Sequence, residues 1–409
     1  MVNTVLTPVM ITNKAVIVLE NMSNGVKFFD SSYSSQFAKD GAKIGATLNV
    51  RKPARYIGRQ GATLSVEDQT ETQVPLVLTT QFGVDVQFTS QELTLSLDDF
   101  AQRVLMPQMA VIRNRIDRDC CLQAQSTPNA VGTVATPPAT LASLLAVRQR
   151  LLEMAAPDDG QLYLLLGPAA NTSLVNGLST LFNPQTKIAT NYNDGIIADA
   201  GGLKIAIDQN VIGQTIGPLG GAPLVNGANQ GLNSGWAYSQ NLITDGWTAA
   251  AAPRLVAGDR FTIANVFSVN PQNRQSTGVL QQFVVQTNVS SDAGGNVTIP
   301  IVPAIIAAGQ YQNVNSQPAD NAALTIFGAA QAGQTFPHNL GFHKSAFTIA
   351  FADLVLPQGV DMAERKVYKS ISLRVIRAYD INNDRFPSRT DVLYGIKAVY
   401  PELGCVLTN

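Results

Sequence analysis

The two histidines of the chain are the first candidates for chemistry, because His338 and His343 lie only five residues apart. A zinc site needs three or four ligands, yet the next Asp, Glu or Cys after them is Asp353. A catalytic histidine needs a nucleophile or a carboxylate partner, and no G-x-S-x-G motif is present. We therefore predict neither a metal site nor a catalytic site. Both histidines are placed in a turn that leads into the strand SAFTIAFADL.

Glycines and paired aspartates offer no stronger site. The glycine-rich segment 217–231 lacks the Lys-Ser/Thr pair of a phosphate loop. Its composition is typical of a flexible connector. The adjacent aspartates at 98–99 and 158–159 are better explained by helix capping and turn chemistry than by acid–base catalysis.

Residues 41–75 carry the strongest candidate binding surface. Apolar residues are sparse there and glycines recur, which predicts an extended two-stranded segment with little core of its own. A basic outgoing limb and an acidic returning limb favour contact with another subunit; a solvated surface and phosphate binding are the alternatives. The candidate contact residues are Arg51, Lys52, Arg55 and Arg59, then Glu67, Asp68 and Glu71.

The composition indicates two or three domains with a surface poor in charge. Charged residues make up 14% of the 409 residues, against roughly 25% in typical globular proteins. A net charge of -1 argues against nucleic-acid binding through bulk electrostatics. Neither a secretory signal nor an apolar run of membrane-spanning length is recognised. We expect copies of the chain to cover part of this surface. The three cysteines are expected to be reduced, structural thiols, which suits folding in a cytoplasm: Cys120, Cys121 and Cys405.

Periodic patterns predict the elements of the first half. Residues 1–40 form an arm with a short helix, and FGVDVQFTS alternates like a half-buried strand. A long helix follows, capped by Ser96 and kinked or restarted at Pro107. Its buried face is predicted to carry Phe100, Val104, Ile112, Ile116 and Cys120.

The second half combines an α/β region with a β-rich insertion. Residues 128–138 are predicted to be a linker, ATLASLLAVRQRLLEM a helix and QLYLLLG a buried strand. No Lys or Glu occurs from Ile205 to His343, and the runs DRFTIANVF, LQQFVVQTNV and NVTIPIV predict a small all-β unit. KSISLRVIRAYD and DVLYGIKAVYPELGCVL form two final strands. SAFTIAFADL closes the host fold around the insertion, with one face formed by Phe347, Ile349 and Phe351.

Four sequence stretches, taken in order, carry a resemblance over nearly the whole chain: FGVDVQFTSQELTLSLDDFAQRVLMP, LVAGDRFTIANV, HNLGFHKSAFTIAFADL and RTDVLYGIKAVYPELGCVL. With the order of the predicted elements, they resemble a bacteriophage major capsid (coat) protein of the α+β Hong-Kong-97-like fold. More narrowly, the chain resembles the coat proteins of short-tailed Salmonella-type phages, which carry an inserted domain.

The resemblance implies a division into five parts. The extended loop would lie across a neighbouring subunit, and the axial domains would meet at the centre of each capsomer. The parts are an N-terminal arm (1–40), an extended loop (41–75), a peripheral domain (76–138 and 363–409) with a spine helix (97–124) and a terminal β-hairpin, an axial α/β domain (139–215 and 331–362), and an inserted small β-barrel domain (216–330).

The resemblance also implies a structural function without catalysis or a cofactor. The chain would self-assemble as hexamers and pentamers into the icosahedral shell of a tailed bacteriophage, through a scaffold-assisted procapsid that expands on maturation. Its partners would be itself, a scaffolding protein, a portal protein at one vertex and packaged double-stranded DNA through weak non-specific contact, with no membrane. The protein would be part of the virion and be assembled in the cytoplasm of a bacterial host.

Two other functions are weighed against this one. An encapsulin-like cellular compartment would share the fold, but the inserted β unit and the long arm disfavour it. A secreted, β-rich carbohydrate-binding or hydrolytic protein would be richer in aromatic residues than the 7% found here. Some proteins with this fold cross-link covalently through Lys and Asn; Lys43 and Lys52 are the nearest candidates, and we predict no such cross-link.

Overall fold

The computed structural model describes residues 8–22, 24–35, 45–64, 66–89, 101–178, 199–382 and 385–408. The chain forms two compact units, each composed of three separate stretches. Unit 1 consists of Met1–Val50, Pro75–Cys120 and Phe347–Lys397. Unit 2 consists of Arg51–Val74, Cys121–Ala346 and Ala398–Asn409.

Helices occur mainly in the first half of the chain. Among the described residues, no helix is long and apolar enough to cross a membrane. A π-helical turn at Ala101–Leu105 precedes the third α-helix, and a 3-10 turn at Leu122–Ser126 follows it. The α-helices are α1 (Pro8–Met22), α2 (Asn24–Phe28), α3 (Met106–Cys121), α4 (Leu141–Glu153) and α5 (Pro168–Leu178).

Strands dominate the rest of the chain. In chain order they are β1 (Thr47–Lys52), β2 (Thr72–Val77), β3 (Thr80–Thr89), β4 (Asn129–Val131), β5 (Leu162–Leu166), β6 (Asp199–Ala200), β7 (Leu203–Ile207), β8 (Gly213–Thr215), β9 (Gly221–Val225), β10 (Gln240–Trp247), β11 (Pro253–Leu255), β12 (Arg260–Val269), β13 (Ser276–Val285), β14 (Val289–Ser290), β15 (Val297–Val302), β16 (Leu324–Ile326), β17 (Thr335–His343), β18 (Phe347–Ala352), β19 (Met362–Tyr368), β20 (Ile371–Arg377), β21 (Arg385–Ala398) and β22 (Gly404–Thr408).

Unit 1 is built on a five-stranded sheet. Its order is β18-β21-β20-β19, and β3 also pairs with β21. The long strand β21 is antiparallel to β20, so the predicted pair of strands near the end of the chain is confirmed. Helix α1 packs against β19 and β20, because its apolar residues share one face. The buried residues of that face are Ile11, Ala15, Val16 and Leu19.

The predicted long helix is confirmed over its described part. The α-helix begins at Met106, directly after the π-helical turn, and Pro107 lies in its first turn. A proline is tolerated there because its missing N–H would have no intrahelical acceptor. Residues 96–100, with the predicted cap, lie outside the described residues. The predicted buried positions of α3 are confirmed as fully buried: Ile112, Ile116 and Cys120.

Unit 2 contains a mixed sheet flanked by helices. Its order is β4-β22-β17-β5-β7-β6, with β8 pairing to β17. The strand predicted from QLYLLLG is β5, buried at every position, and the predicted helix ATLASLLAVRQRLLEM is α4. Strand β5 runs parallel to β7 and antiparallel to β17, which places β17 near the middle of the sheet.

The predicted all-β insertion forms a six-stranded, barrel-like sheet within unit 2. Its order is β16-β12-β13-β15-β10-β9. The two ends of this order meet, because Leu224 and Ala323 form an antiparallel bridge and the N–H of Val225 donates to the carbonyl of Ala322 at 2.9 Å. Buried apolar residues from every strand of the sheet fill its interior, including Leu242, Phe261, Phe283, Ile299 and Ile326.

The insertion is joined to the rest of unit 2 by side chains that bond to backbone groups. The guanidinium of Arg260 donates to the carbonyls of Thr127 at 3.0 Å and Ala124 at 2.5 Å. The side-chain amide of Gln282 donates to the carbonyl of Ala130 at 2.9 Å and accepts from its N–H at 2.8 Å. Gln282 therefore continues the hydrogen bonding of β4 as a neighbouring strand would.

The histidines do not lie in a turn, and that prediction is wrong. His338 and His343 both belong to β17 and are both buried. Residues 338–343 are all buried, and the segment PHNLGFH is a strand because β17 pairs with β22 on one side and with β5 on the other. Strand β18 is confirmed in SAFTIAFADL, but all its residues are buried, and it lies in the sheet of unit 1.

Two segments predicted to be irregular contain strands. Residues 128–138, predicted to be a linker, contain β4, which pairs in parallel with β22. Residues 217–231, predicted to be a flexible connector, contain β9, which pairs with β10. The partner of β4 lies far along the chain, whereas β9 pairs with the next strand, β10, across a stretch rich in Gly and Asn, so that composition favoured irregular structure. The predicted final strand DVLYGIKAVYPELGCVL is divided, because its first part belongs to β21 in the sheet of unit 1 and its last residues belong to β22 in the sheet of unit 2. The five-part division itself stays a prediction.

We expect Arg260→Met to destabilise the insertion by about 2–4 kcal/mol, because it leaves buried carbonyls without a donor. The free energy of unfolding can be measured in urea by fluorescence, since both tryptophans of the chain, Trp236 and Trp247, lie in the insertion. Arg103→Met is the control, because Arg103 is exposed. Equal unfolding midpoints for the two variants would contradict an anchoring role.

We also expect the stability of the insertion to depend on pH through Asp259. Burial raises the pKa of its carboxyl to about 6, although the N–H groups of Val256 and Gly217 donate to it at 2.8 and 3.0 Å. Because the folded-state pKa is the higher one, this contribution is complete below about pH 4 and is lost as the pH rises through about 6. The loss is on the order of 3 kcal/mol.

Asp259→Asn tests this expectation, because an amide does not titrate. Its urea midpoint should lack the fall that the unsubstituted protein shows between about pH 4 and pH 7. Parallel pH profiles for the two proteins would show that Asp259 is not the group responsible.

Candidate assembly surface

The candidate surface is the extended loop, whose limbs are joined at the base by pairing of β1 with β2. Between these strands, the described residues of 53–71 contain no helix or strand. We define its root as residues 51–56 and 68–72, and its tip as residues 57–67. The charged side chains of the root and of the tip are held differently.

Lys52, predicted to contact another subunit, is buried at the root. Only 7% of the residue is exposed, and its ammonium lies 4.2 Å from the ring centroid of Tyr400 and 5.3 Å from that of Trp236. Burial lowers the pKa of Lys52, while Glu402 acts in the opposite direction. A desolvated ammonium between two aromatic rings is a favourable cation–π arrangement. This lysine therefore anchors the root inside its own subunit.

Arg55 is bonded to residues of unit 2 outside the loop, whereas Arg51 is paired only weakly and within the loop. The guanidinium of Arg55 lies 3.3 Å from the carboxylate of Glu402 and 5.9 Å from the ring centroid of Tyr311. Arg51 and Glu71 form an ion pair at 3.8 Å with side chains 79% and 50% exposed. An ion pair this exposed adds little stability, so Arg51 remains open to other partners.

Charged side chains of the tip fold the loop back on itself. The carboxylate of Glu67 accepts hydrogen bonds from the N–H groups of Ile57 and Gly58, both at 2.6 Å. The guanidinium of Arg59 donates to the carbonyl of Thr63 at 3.1 Å. Hydrogen bonds to ionised groups are among the stronger ones. These charges therefore shape the tip, whatever else they contact.

Asp68 enters the root through its backbone, since its carbonyl accepts a hydrogen bond from the side chain of Gln310 at 2.9 Å. The structure thus brings the predicted basic and acidic residues together only in the pair Arg51–Glu71. Lys52 and Arg55 have partners outside the loop. The role of all seven residues between subunits stays a prediction.

Two groups of residues at this surface were not predicted from the sequence. One group is apolar and exposed at or beside the tip, and an exposed apolar group of this kind marks an interaction site. The pair Leu64 and Val66 in a glycine-rich segment was the signal for it in the sequence. The other is aromatic and surrounds Lys52 and Arg55, and no local signal marks it because its members are distant in sequence. The apolar group is Tyr56 (56% exposed), Ile57 (52%), Leu64 (77%) and Val66 (81%), and the aromatic group is Trp236, Tyr311 and Tyr400.

The histidines are separate from this surface. Burial, with the nearby charge of Arg260, lowers the pKa of His338 well below its usual value. His343 lies with Nδ1 2.7 Å from Ser345 Oγ and Nε2 3.2 Å from Asp159 Oδ1. Asp159 also accepts from a backbone N–H two residues on, as predicted for a turn. In the part of the chain that the structure describes, no group of three or more His, Cys, Asp or Glu is placed to hold a metal ion.

Comparison with known proteins identifies a family match over most of the chain. The profile described as "P22 coat protein - gene protein 5" matches residues 42–408. A search of curated protein sequences found no match.

Solved structures were also found to be similar. A chain of the structure described as "Mycobacterium phage Che8" shares 10% sequence identity with this protein, and the alignment covers 94% of this chain and 91% of the other, with a TM-score of 0.48. The asymmetric unit of the bacteriophage PhiM1 mature capsid shares 11% identity over 89% and 82%, with a TM-score of 0.41. The CUS-3 coat protein I-domain shares 27% identity over 26% of this chain and 96% of that chain, with a TM-score of 0.20.

We expect Glu67→Gln to loosen the tip in the unassembled chain, because the amide is a weaker acceptor than the carboxylate for the two N–H groups. Weakening of these hydrogen bonds should lower the free energy of local opening by roughly 1 kcal/mol. Trypsin cleavage after Arg59 should therefore accelerate by about threefold to tenfold. The fragments can be followed by mass spectrometry.

Glu71→Gln provides the control, since it removes the same charge from an exposed, weak ion pair. Equal cleavage rates in the two variants would show that Glu67 does not shape the tip.

Proposed function

Because the chain belongs to the P22 coat protein family and is a shell-forming coat protein of a bacteriophage, we propose that it is the major subunit of an icosahedral shell that encloses packaged double-stranded DNA. The family match over residues 42–408 carries this proposal. The α+β capsid fold and the insertion predicted from the sequence agree with it.

The extended loop is proposed as the main contact between neighbouring subunits. Its tip exposes apolar side chains, while its backbone and several charges are satisfied within the loop. Apolar surface of this kind gains free energy when a partner covers it. Contact between a loop and a different surface of the next subunit is heterologous, and heterologous contacts form a ring when the rotation from one subunit to the next closes on itself. Hexamers and pentamers are such rings.

Assembly is proposed to occur in the bacterial cytoplasm on a scaffolding protein, as a procapsid that expands when DNA enters through a portal vertex. A net charge of -1 suits an inner surface that touches DNA weakly and without sequence preference. We further propose a shell without covalent cross-links. Lys52 is buried between aromatic rings, which supports this for one of the two candidate lysines; Lys43 lies outside the described residues.

We expect the double variant Leu64→Ser, Val66→Ser to assemble poorly, because each serine removes apolar area that the neighbour would bury, about 1 kcal/mol or more per residue. The fraction of protein in closed shells should fall by on the order of tenfold. Sedimentation and electron microscopy, with the scaffolding protein present, measure it. The monomer should keep its tryptophan fluorescence.

The matched control is Leu64→Met, Val66→Ile, which keeps the tip apolar. Shells of normal number and heat resistance from the serine variant would refute the inter-subunit role of the tip. Arg51→Glu tests the role of charge in the loop, because Arg51 is exposed and only weakly paired, whereas Arg55 and Arg59 are unsuitable because they bond within the subunit.

A further inference from the structure

The inserted barrel touches both limbs of the loop root. On the outgoing limb, the carbonyl of Tyr56 accepts a hydrogen bond from Arg274 Nη2 at 2.8 Å. On the returning limb, the carbonyl of Thr70 accepts from the hydroxyl of Tyr311 at 2.6 Å. Gln310 adds the bond to the carbonyl of residue 68 at 2.9 Å. The two limbs are therefore bonded to one surface of the insertion.

Aromatic rings reinforce these bonds. Trp236, at the start of the insertion, lies against the ammonium of Lys52, and Tyr311 lies against the guanidinium of Arg55. Tyr311 thus contacts the outgoing limb with its ring and the returning limb with its hydroxyl. Since a two-stranded segment is marginal without support, contacts of this kind are what an ordered root requires.

The surface that holds the loop is itself fixed. Arg274 Nη2 also lies 3.4 Å from the carbonyl of Gln310, which links the two turns that supply the donors. The side chain of Asn270 accepts from the N–H of Gln272 at 2.9 Å and donates to the carbonyl of Glu153 at the end of α4, also at 2.9 Å. The turn that carries Arg274 is thus bonded to the host part of unit 2 by contacts that do not involve the loop.

We propose that the insertion acts as an intrasubunit clamp on the extended loop, with Trp236, Arg274, Gln310 and Tyr311 as positioning residues. All three hydrogen bonds end on loop carbonyls, so they fix where the backbone of the root runs, and the aromatic rings hold the side chains of Lys52 and Arg55. The tip is then presented in one direction to a neighbouring copy. The assembly part of this inference rests on the proposed function; the clamp itself does not.

The test is the double variant Arg274→Ala, Tyr311→Phe in the full, unassembled chain. It removes the donors to Tyr56 and Thr70 and keeps the aromatic ring beside Arg55. Amide hydrogen exchange across residues 53–71, and trypsin cleavage after Arg59, should both accelerate by on the order of tenfold, because two hydrogen bonds of the root are lost.

Gln312→Ala is the matched control, because its side chain bonds to the carbonyl of Val314 in the same turn and not to the loop. Tryptophan fluorescence reports whether the insertion is folded. If the double variant unfolds, Tyr311→Phe alone, which removes a single oxygen atom, is measured in its place.

Assembly of the double variant with the scaffolding protein distinguishes the clamp itself from the role of the loop in assembly. Unchanged exchange in the loop overturns the clamp, whatever the shells look like. Faster exchange together with misassembled shells supports the whole inference. Faster exchange with normal shells supports the clamp but overturns the role of the loop in assembly, and with it that part of the proposed function.

Discussion

Satisfaction of buried backbone groups by distant side chains is the constraint on which unit 2 depends. The barrel lies beside β4 and the residues just before it, and β4 is an edge strand of the mixed sheet whose outer carbonyl and N–H groups have no neighbouring strand in that sheet. Arg260 and Gln282 supply those bonds toward residues 127 and 130. Unpaired backbone groups in these places would each cost about as much as a lost hydrogen bond. The insertion is held by polar anchors as well as by its apolar interior.

The backbone of the extended loop is also held by side chains distant in sequence, although the loop has no apolar core of its own. It has too few apolar contacts to be ordered alone, and its root is fixed by bonds to its carbonyls and by rings beside Lys52 and Arg55. Its tip is shaped by Glu67 and keeps apolar side chains exposed. The chain therefore orders the loop where it leaves the subunit and leaves its end uncovered, as expected for a segment that a neighbour completes.

Helices and core strands were predictable because their signal is local. The spacing of Ile112, Ile116 and Cys120 indicated a buried helical face, and the apolar run around Leu164 indicated a buried strand. Strand β4 was not predictable, since its partner β22 lies far along the chain. Strand β9 was not predictable because glycines and prolines in its segment gave the composition of a connector. The histidines were misplaced for the same reason: PHNLGFH has turn-forming residues, and only pairing on both sides makes it a strand.

By itself, the sequence determined the class of protein, the α+β fold with an inserted β unit, and the charged loop as the place to look for assembly contacts. The class of protein was implied by the resemblance of four ordered sequence stretches to a known family, whereas local periodicity and composition indicated the elements, the inserted β unit and the charged loop. Only the tertiary structure decided which charges are available. It buried Lys52 between Trp236 and Tyr400 and paired Arg55 with Glu402. The physical reason is that a charged side chain is available to a partner only if no neighbour in space already pairs with it. Those neighbours are distant in sequence and are brought close only by the tertiary fold.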